Sequence, residues 1–257
     1  MVGIIDSHAH LCGRELYPKL EKIVKEAKDT GIGKIMIVCG SVEEARRAVA
    51  ATCEDSMFDV AAGFHPNDAL SVSRKDWDDL CELLLNPHVK AIGEIGMDYF
   101  SYETVVPKVL QKELFIRQME LANEFGKPAI IHMRMAAEDT RRYIKGHLRV
   151  PGIMHGYSGG YKYMKDFLDI GMYLSLSGNI TFEAGDENTR RAVKEIPLDR
   201  LLVESNAPFH TPVPAAGGLN EPKNITYVTD WICRIRGMEQ EELLLAVKEN
   251  YDRIFGR

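Results

Sequence analysis

The chain has 257 residues, of which 45% are hydrophobic, and a formal net charge of -6 at pH 7. This length suits one core, because an α/β barrel of about 250 residues is a common single domain. The negative charge argues against a protein whose overall field attracts polyanions. Frequent charges exclude a membrane-spanning segment, and the N-terminus lacks a secretion signal. With five scattered cysteines, these features predict a soluble, cytoplasmic protein.

Short β-branched runs alternate with longer amphipathic segments along the chain. The eight runs lie near residues 2–6, 34–38, 58–62, 89–92, 128–131, 152–154, 172–176 and 200–203. Strands that alternate with helices indicate repeated β/α units, and eight such units close a barrel. The sequence therefore predicts an α/β protein with a (β/α)8 TIM barrel.

Helical spacing of apolar residues separates and follows these runs. The helical segments that we delimit cover residues 17–27, 109–125, 224–236 and 239–254. The second of these ends at Gly126, shortly before Pro128, which is a typical stop signal. Because no Gly/Ser-rich linker interrupts the pattern, we expect a single domain over residues 1–257.

The first run leads into a histidine pair, His8 and His10. Side chains alternate across a strand, so both imidazoles point the same way and could share one ion. An isolated H-x-H pair is equally compatible with structural packing. Its position favours metal binding, because barrel enzymes keep their active sites at the carboxyl ends of their strands.

The same placement recurs after later runs. Side chains that can bind a metal or a substrate follow four of them, at His65, Glu94, His132 and His155. Together with Glu94, the histidines His8, His10, His132 and His155 could hold two metal ions that the carboxylate bridges. The alternative is a polar barrel mouth that holds one ion or none. Imidazole suits Zn, Mn, Ni or Fe, whereas Mg prefers oxygen ligands.

Six ordered motifs identify a resemblance that covers essentially the whole chain. They read GFHP (63–66), GEIGMDY (93–99), IIHMR (130–134), MHGYSGG (154–160), VESNAPF (203–209) and NEP (220–222). In order and spacing the chain resembles the TatD family of metal-dependent hydrolases, DNases and phosphoesterases of the amidohydrolase superfamily. The resemblance implies that His8, His10 and Glu94 bind one metal, and that Glu94 also contacts a second metal held by His132 and His155. A water between the ions would be the nucleophile.

The chain departs from the family pattern at the eighth strand, where Ser205 and Asn206 replace Thr-Asp. In the family this aspartate ligates the first metal and accepts a proton from the attacking water. The Asn206 carbonyl oxygen can still ligate a metal, but the amide is not a useful base. Its loss should cost about 10²–10⁴-fold in rate unless another group substitutes. His210 is either a substitute ligand or base or a plain loop histidine, and Glu204 is either a supporting partner or a stand-in base.

Two residues are candidates for substrate binding. His65 either donates to the substrate or packs beneath the Pro66 turn, and Arg134 either binds a phosphate or carboxylate or forms a surface salt bridge. The loop at residues 215–219 lacks the basic residues that often precede the family's Asn-x-Pro motif. Because phosphodiester backbones are held mainly by Lys and Arg, we expect a small phosphorylated or ester substrate and weak nucleic-acid binding at most.

These features give three functional hypotheses. The first is a metal-dependent hydrolase of phosphoesters, acting on nucleic-acid ends or small phosphorylated molecules. The second is an amide or lactone hydrolase, because the barrel and metal do not fix the bond that is cleaved. The third is a metal-binding pseudoenzyme, which the amide at position 206 keeps open.

Overall fold

The computed structural model describes residues 2–100, 106–182 and 187–256 of the chain. Its eight strands form one parallel sheet, in which each strand pairs with the next along the sequence. The strands are β1 (Ile4–Ala9), β2 (Ile32–Cys39), β3 (Phe58–Ala62), β4 (Val89–Asp98), β5 (Ala129–Arg134), β6 (Gly152–Met154), β7 (Tyr173–Leu176) and β8 (Leu201–Val203).

Helices connect successive strands and complete the chain. They are α1 (Leu20–Asp29), α2 (Val42–Thr52), α3 (Arg74–Leu84), α4 (Lys108–Phe125), α5 (Ala137–His147), α6 (Gly160–Leu168), α7 (Glu187–Glu195), α8 (Ile225–Arg236) and α9 (Gln240–Phe255). The predicted first helix begins later than residue 17, because a 3-10 turn at Tyr17–Lys19 precedes it. Among the helices described, none is long and apolar enough to cross a membrane.

Backbone hydrogen bonds join the first strand to the chain just after the last. The His10 N–H donates to the Ala207 carbonyl at 2.7 Å, and the Asn206 N–H donates to the His8 carbonyl at 2.9 Å. These bonds bring the two ends of the sheet together, which confirms the predicted (β/α)8 barrel. They also place Asn206 beside the histidine pair.

Strand β4 extends well beyond the predicted end at residue 92 and reaches Asp98. Ile95 and Met97 in the extension are fully buried. Gly96 allows a close approach to β5, because a Cβ there would lie 2.0 Å from the His132 carbonyl oxygen. Glu94 therefore lies within the strand rather than after it, and this corrects the predicted boundary.

Candidate metal centre

The candidate ligands lie together at the carboxyl ends of four strands, β1, β4, β5 and β6. His8 lies on β1 and His10 directly after it, Glu94 lies on β4, His132 on β5, and His155 directly after β6. Parallel strands of a barrel all end at the same face, so residues far apart in sequence converge there. His8 and Glu94 are buried, at 0% and 5% exposure.

One half of the cluster consists of His8, His10 and one oxygen of Glu94. The two Nε2 atoms are 3.1 Å apart. They lie 3.7 Å and 3.5 Å from Glu94 Oε2, respectively. We call this group the first half-site. Its three donor atoms lie within 4.8 Å of one another, close enough to share one ion.

The other half consists of His132, His155 and the second oxygen of Glu94. His132 Nδ1 and His155 Nε2 each lie 2.6 Å from Glu94 Oε1. The two ring nitrogens are 3.2 Å apart. This second half-site shares its carboxylate with the first, so the two oxygens of Glu94 each face a pair of imidazole nitrogens.

The remaining ring nitrogens contact groups that hold the imidazoles in place. His10 Nδ1 lies 3.0 Å from the Val38 carbonyl oxygen, which can only accept, so Nδ1 carries the proton and Nε2 faces the cluster. His132 Nε2 lies 2.9 Å from Asp98 Oδ2. Such partners fix the tautomer and raise the basicity of a ligating histidine.

Asp98 is a functional candidate that the sequence reasoning missed. It is buried, with 2% exposure. His65, Asp98 and His132 form a further group whose ligand atoms lie within 4.8 Å of one another. The available signal was strand alternation, since Glu94 and Asp98 are four residues apart and share a face once β4 is recognised as continuing.

The protonation states of the cluster suit a metal at the first half-site. Burial lowers the pKa of His8 well below its usual value, and the neighbouring His155 and His10 lower it further. Neutral imidazole is the form that binds metals. Burial would raise the pKa of Glu94, but His155 and His132 outweigh burial and hold it well below its usual range. Neutral nitrogens around an ionised carboxylate fit a divalent transition metal.

The second half-site carries protons that a metal would displace. Burial lowers the pKa of His155, but Glu94 and Glu204 outweigh it and raise the pKa to about 10. For His132, burial is outweighed by hydrogen bonds with Asp98 and Glu94, which raise the pKa above its usual value. The raised pKa of His155 means that a metal bound here at neutral pH would displace a proton from that ring.

Asn206 is buried next to the first half-site. Its exposure is 4%, and its backbone N–H donates to the His8 carbonyl at 2.9 Å. Its Nδ2 lies 3.0 Å from His210 Nδ1. Its Oδ1 is buried and has no hydrogen-bond partner among the residues that the structure describes. A buried acceptor without a partner is costly unless a cation engages it, so this atom fits the metal as well.

Glu204 lies behind His155 rather than beside Glu94. Its Oε1 accepts a hydrogen bond from the Gly156 N–H at 2.7 Å and lies 3.4 Å from His155 Nδ1. The opposite nitrogen of the same ring, Nε2, faces Glu94. This geometry favours the supporting role for Glu204 over that of a stand-in base.

His65 borders the cluster. Its Nδ1 accepts a hydrogen bond from the Asn67 N–H at 3.2 Å, and its Nε2 lies 3.8 Å from Glu94 Oε1. The ring meets that of His132 edge-on, with the centroids 4.5 Å apart. One nitrogen thus caps the turn that begins at Pro66, while the other faces the cluster, and donation to a substrate stays a prediction.

Arg134 lies on the rim, exposed to solvent at the end of β5. Its guanidinium stacks on the Phe100 ring at 3.8 Å. It lines a cavity of about 600 Å³ together with Tyr99, Met135 and Ser158, among other residues. The cavity lies beside the loops that follow β5 and β6, next to His132 and His155 in sequence.

A parallel β/α barrel with histidines and a shared carboxylate at its strand ends is the architecture of the metal-dependent barrel hydrolases. The chain matches the family of TatD related DNases over residues 5–256. It is 36% identical to YabD of Bacillus subtilis, a metal-dependent hydrolase by name, over 254 residues that cover 98% of each chain. It is 32% identical to YcfH of Escherichia coli, named likewise, over 263 residues, 98% of this chain and 95% of the relative.

The fold agrees with these similarities. The chain superposes on the crystal structure of YjjV, a TatD homologue from Escherichia coli, with a TM-score of 0.93, 27% identity and 100% of each chain covered. The chain therefore belongs to the TatD family of metal-dependent hydrolases. This confirms the family resemblance that the six motifs indicated.

Proposed function

We propose that this protein hydrolyses phosphoester bonds, in small phosphorylated molecules or at nucleic-acid ends, by means of one or two divalent transition metals. The observation that carries the proposal is the position of Glu94, whose Oε1 and Oε2 face separate pairs of histidine nitrogens at 2.6–3.7 Å. A carboxylate placed in this way can bridge two ions. Zn, Mn, Ni and Fe fit the nitrogen-rich donor set better than Mg.

In this proposal the metal would lower the pKa of a coordinated water from 15.7 to about 7, so that the water can act as the nucleophile. His8, His10 and Asn206 Oδ1 hold the first metal, and Glu94 contributes to both half-sites. His132 and His155 hold the second metal. Asp98 and Glu204 keep the second pair of rings oriented from behind.

The catalytic residues are Glu94 and Asn206. Glu94 is ionised and lies between the half-sites, where the nucleophilic water would be held. Asn206 would contribute its Oδ1 to the first metal beside that water, but its amide cannot accept a proton from the water. We therefore expect turnover about 10²–10⁴-fold below that of an enzyme with a positioned base.

The substrate is compact in this proposal. His65 Nε2 donates to it at the edge of the metal centre, and Arg134 binds its phosphate or carboxylate from the rim of the 600 Å³ cavity. The net charge of -6 and the loop at 215–219, which has no Lys or Arg, support weak nucleic-acid binding. The five cysteines are free thiols, which supports a location in the reducing cytoplasm.

A metal analysis followed by a substrate panel tests the proposal. Purified protein is assayed on chromogenic phosphomonoesters, phosphodiesters, carboxylic esters, amides and lactones, with and without added manganese. We expect phosphoester turnover that a chelator abolishes and metal restores. Turnover of amides or lactones alone would establish the second hypothesis, and bound metal without any turnover would establish the pseudoenzyme. Tight binding of single-stranded DNA with a steep salt dependence would contradict the compact substrate.

A further inference from the structure

The direction of the Asn206 amide is the feature from which a further role follows. The Asn206 backbone has a φ of 53°, a left-handed conformation that asparagine tolerates better than most residues. Its N–H is bound to the His8 carbonyl at 2.9 Å, so the main chain is pinned beside the first half-site. The backbone does not determine whether Oδ1 or Nδ2 of the side-chain amide faces the first half-site.

His210 determines the orientation of the Asn206 side-chain amide. Asn206 Nδ2 and Ser177 Oγ lie 3.0 Å and 2.8 Å from His210 Nδ1. The His210 backbone packs directly against Gly178, since a Cβ at Gly178 would lie only 1.8 Å from the His210 carbonyl oxygen. The ring therefore offers its Nδ1 at a fixed place beside the amide.

The contact with Asn206 requires one tautomer of His210. The Asn206 NH₂ group can only donate, so His210 Nδ1 accepts here and the ring proton resides on Nε2. The one hydroxyl proton of Ser177 must then go to His210 Nδ1, at 2.8 Å, in preference to Asn179 Oδ1, at 3.0 Å. The other end of the amide, Oδ1, is then the buried atom that has no hydrogen-bond partner within the described ranges. The reversed amide would bury two N–H donors at that place, and N–H groups cannot ligate a cation.

We propose that His210 is a positioning residue, which accepts a hydrogen bond from Asn206 and thereby presents Asn206 Oδ1 to the metal at His8 and His10. An aspartate at position 206 would not need such a residue, because its two oxygens are equivalent. His210 matters because position 206 carries an amide. The inference rests on the proposed metal centre.

A double-mutant cycle tests this dependence. His210→Leu removes the acceptor, and His210→Asn restores an oxygen acceptor at nearly the same place. Each is made in the natural chain and in the Asn206→Asp background, and first-site affinity is measured by Co²⁺ absorption in competition with a chelator. His147→Leu is the matched control, since His147 lies at the end of α5, away from the centre.

We expect His210→Leu to weaken the first site by roughly 10–100-fold, the usual effect of losing a partner that orients a ligand. His210→Asn should recover most of this affinity. In the Asn206→Asp background, His210→Leu should change affinity by no more than about twofold, as expected for independent changes. An equal loss in both backgrounds would overturn the positioning role and leave the metal centre intact.

The unmodified protein gives an independent readout. Nitrogen NMR of protein labelled at histidine should show His210 protonated at Nε2 and unprotonated at Nδ1. A proton on Nδ1 would overturn the inference, whether or not the Leu variant folds. Absence of metal from every protein in the cycle, including Asn206→Asp, would overturn the proposed function and this assignment with it.

Discussion

The two half-sites of the metal centre share Glu94 but differ in the charge around them. In the second half-site, His132 and His155 lie 2.6 Å from Glu94 Oε1 and have carboxylates behind them. Asp98 lies 2.9 Å from His132, and Glu204 lies 3.4 Å from His155. Anionic partners raise the basicity of ligating imidazoles, so we expect this half to hold a metal more firmly than the other.

The first half-site has mostly neutral support, although Glu204 forms a group with His8 and His155 whose ligand atoms lie within 4.8 Å of one another. His10 is oriented by a backbone carbonyl, and the eighth-strand position supplies the amide of Asn206. The Nε2 atoms of His8 and His10 are also farther from Glu94, at 3.7 Å and 3.5 Å. In the proposed centre, the amide at position 206 changes the first half-site and leaves the ligands of the second unchanged, so metal retention and proton transfer should be separable. We expect unequal metal occupancy of the two half-sites.

Glu94→Gln removes the carboxylate that both half-sites share, so it should have the largest effect. The substitution removes a charge that lies within 3.7 Å of all four imidazoles, so both half-sites should lose most of their metal and hydrolysis should fall at least about 10²–10⁴-fold. Metal content by mass spectrometry and phosphoester turnover measure this, with the exposed Glu113→Gln on α4 as the control. Full metal content in Glu94→Gln would contradict the bridging role.

Asn206→Asp should reduce the contrast between the half-sites. The new carboxylate adds a charge to the first half-site and a proton acceptor near the nucleophilic water, while the second half-site keeps its ligands. First-site affinity should rise, and turnover of a phosphoester should increase by up to about 10²–10⁴-fold. Unchanged metal content and rate would mean that Asn206 is not at the metal. Restored metal without turnover on any substrate would favour the pseudoenzyme.

Asp98→Asn should also reduce the contrast, by weakening the second half-site. Of the two histidines in the second half-site, Asp98 contacts only His132. The asparagine side chain of the variant has nearly the same volume as aspartate but carries no charge. We expect second-site affinity to fall roughly 10–100-fold and first-site affinity to stay the same. Cobalt titration resolves the two sites, and Asp78→Asn on the exposed face of α3 is the control. A loss shared equally by both sites would argue against separate support.

Sequence patterns predicted those parts of the centre that strand geometry and motif order encode. Strand alternation placed His8 and His10 on one side, and their Nε2 atoms are indeed 3.1 Å apart. Asp98 was missed because Gly93 and Gly96 weaken the strand pattern of β4, although regular pairing with β5 resumes at Ile95 after an irregularity. The contact between His210 and Asn206 depends on positive φ values at both residues, 51° and 53°. No periodicity encodes such a loop.

The pH dependence of metal binding should differ between the half-sites, though by less than the substitutions above. The pKa of His155 is raised to about 10 and that of His132 is raised above its usual value, so at neutral pH a metal at the second half-site should displace the proton of His155. Burial already keeps His8 neutral, because its pKa is well below the usual value. Below pH 10, second-site affinity should therefore rise with pH by about tenfold per unit for each proton displaced, and first-site affinity should rise less. Chelator competition at pH 6, 7 and 8, with proton release followed by an indicator dye, measures both slopes. Equal slopes would mean that the carboxylates behind the second pair of histidines do not set their protonation, and the charge contrast between the half-sites would then have no consequence for metal binding.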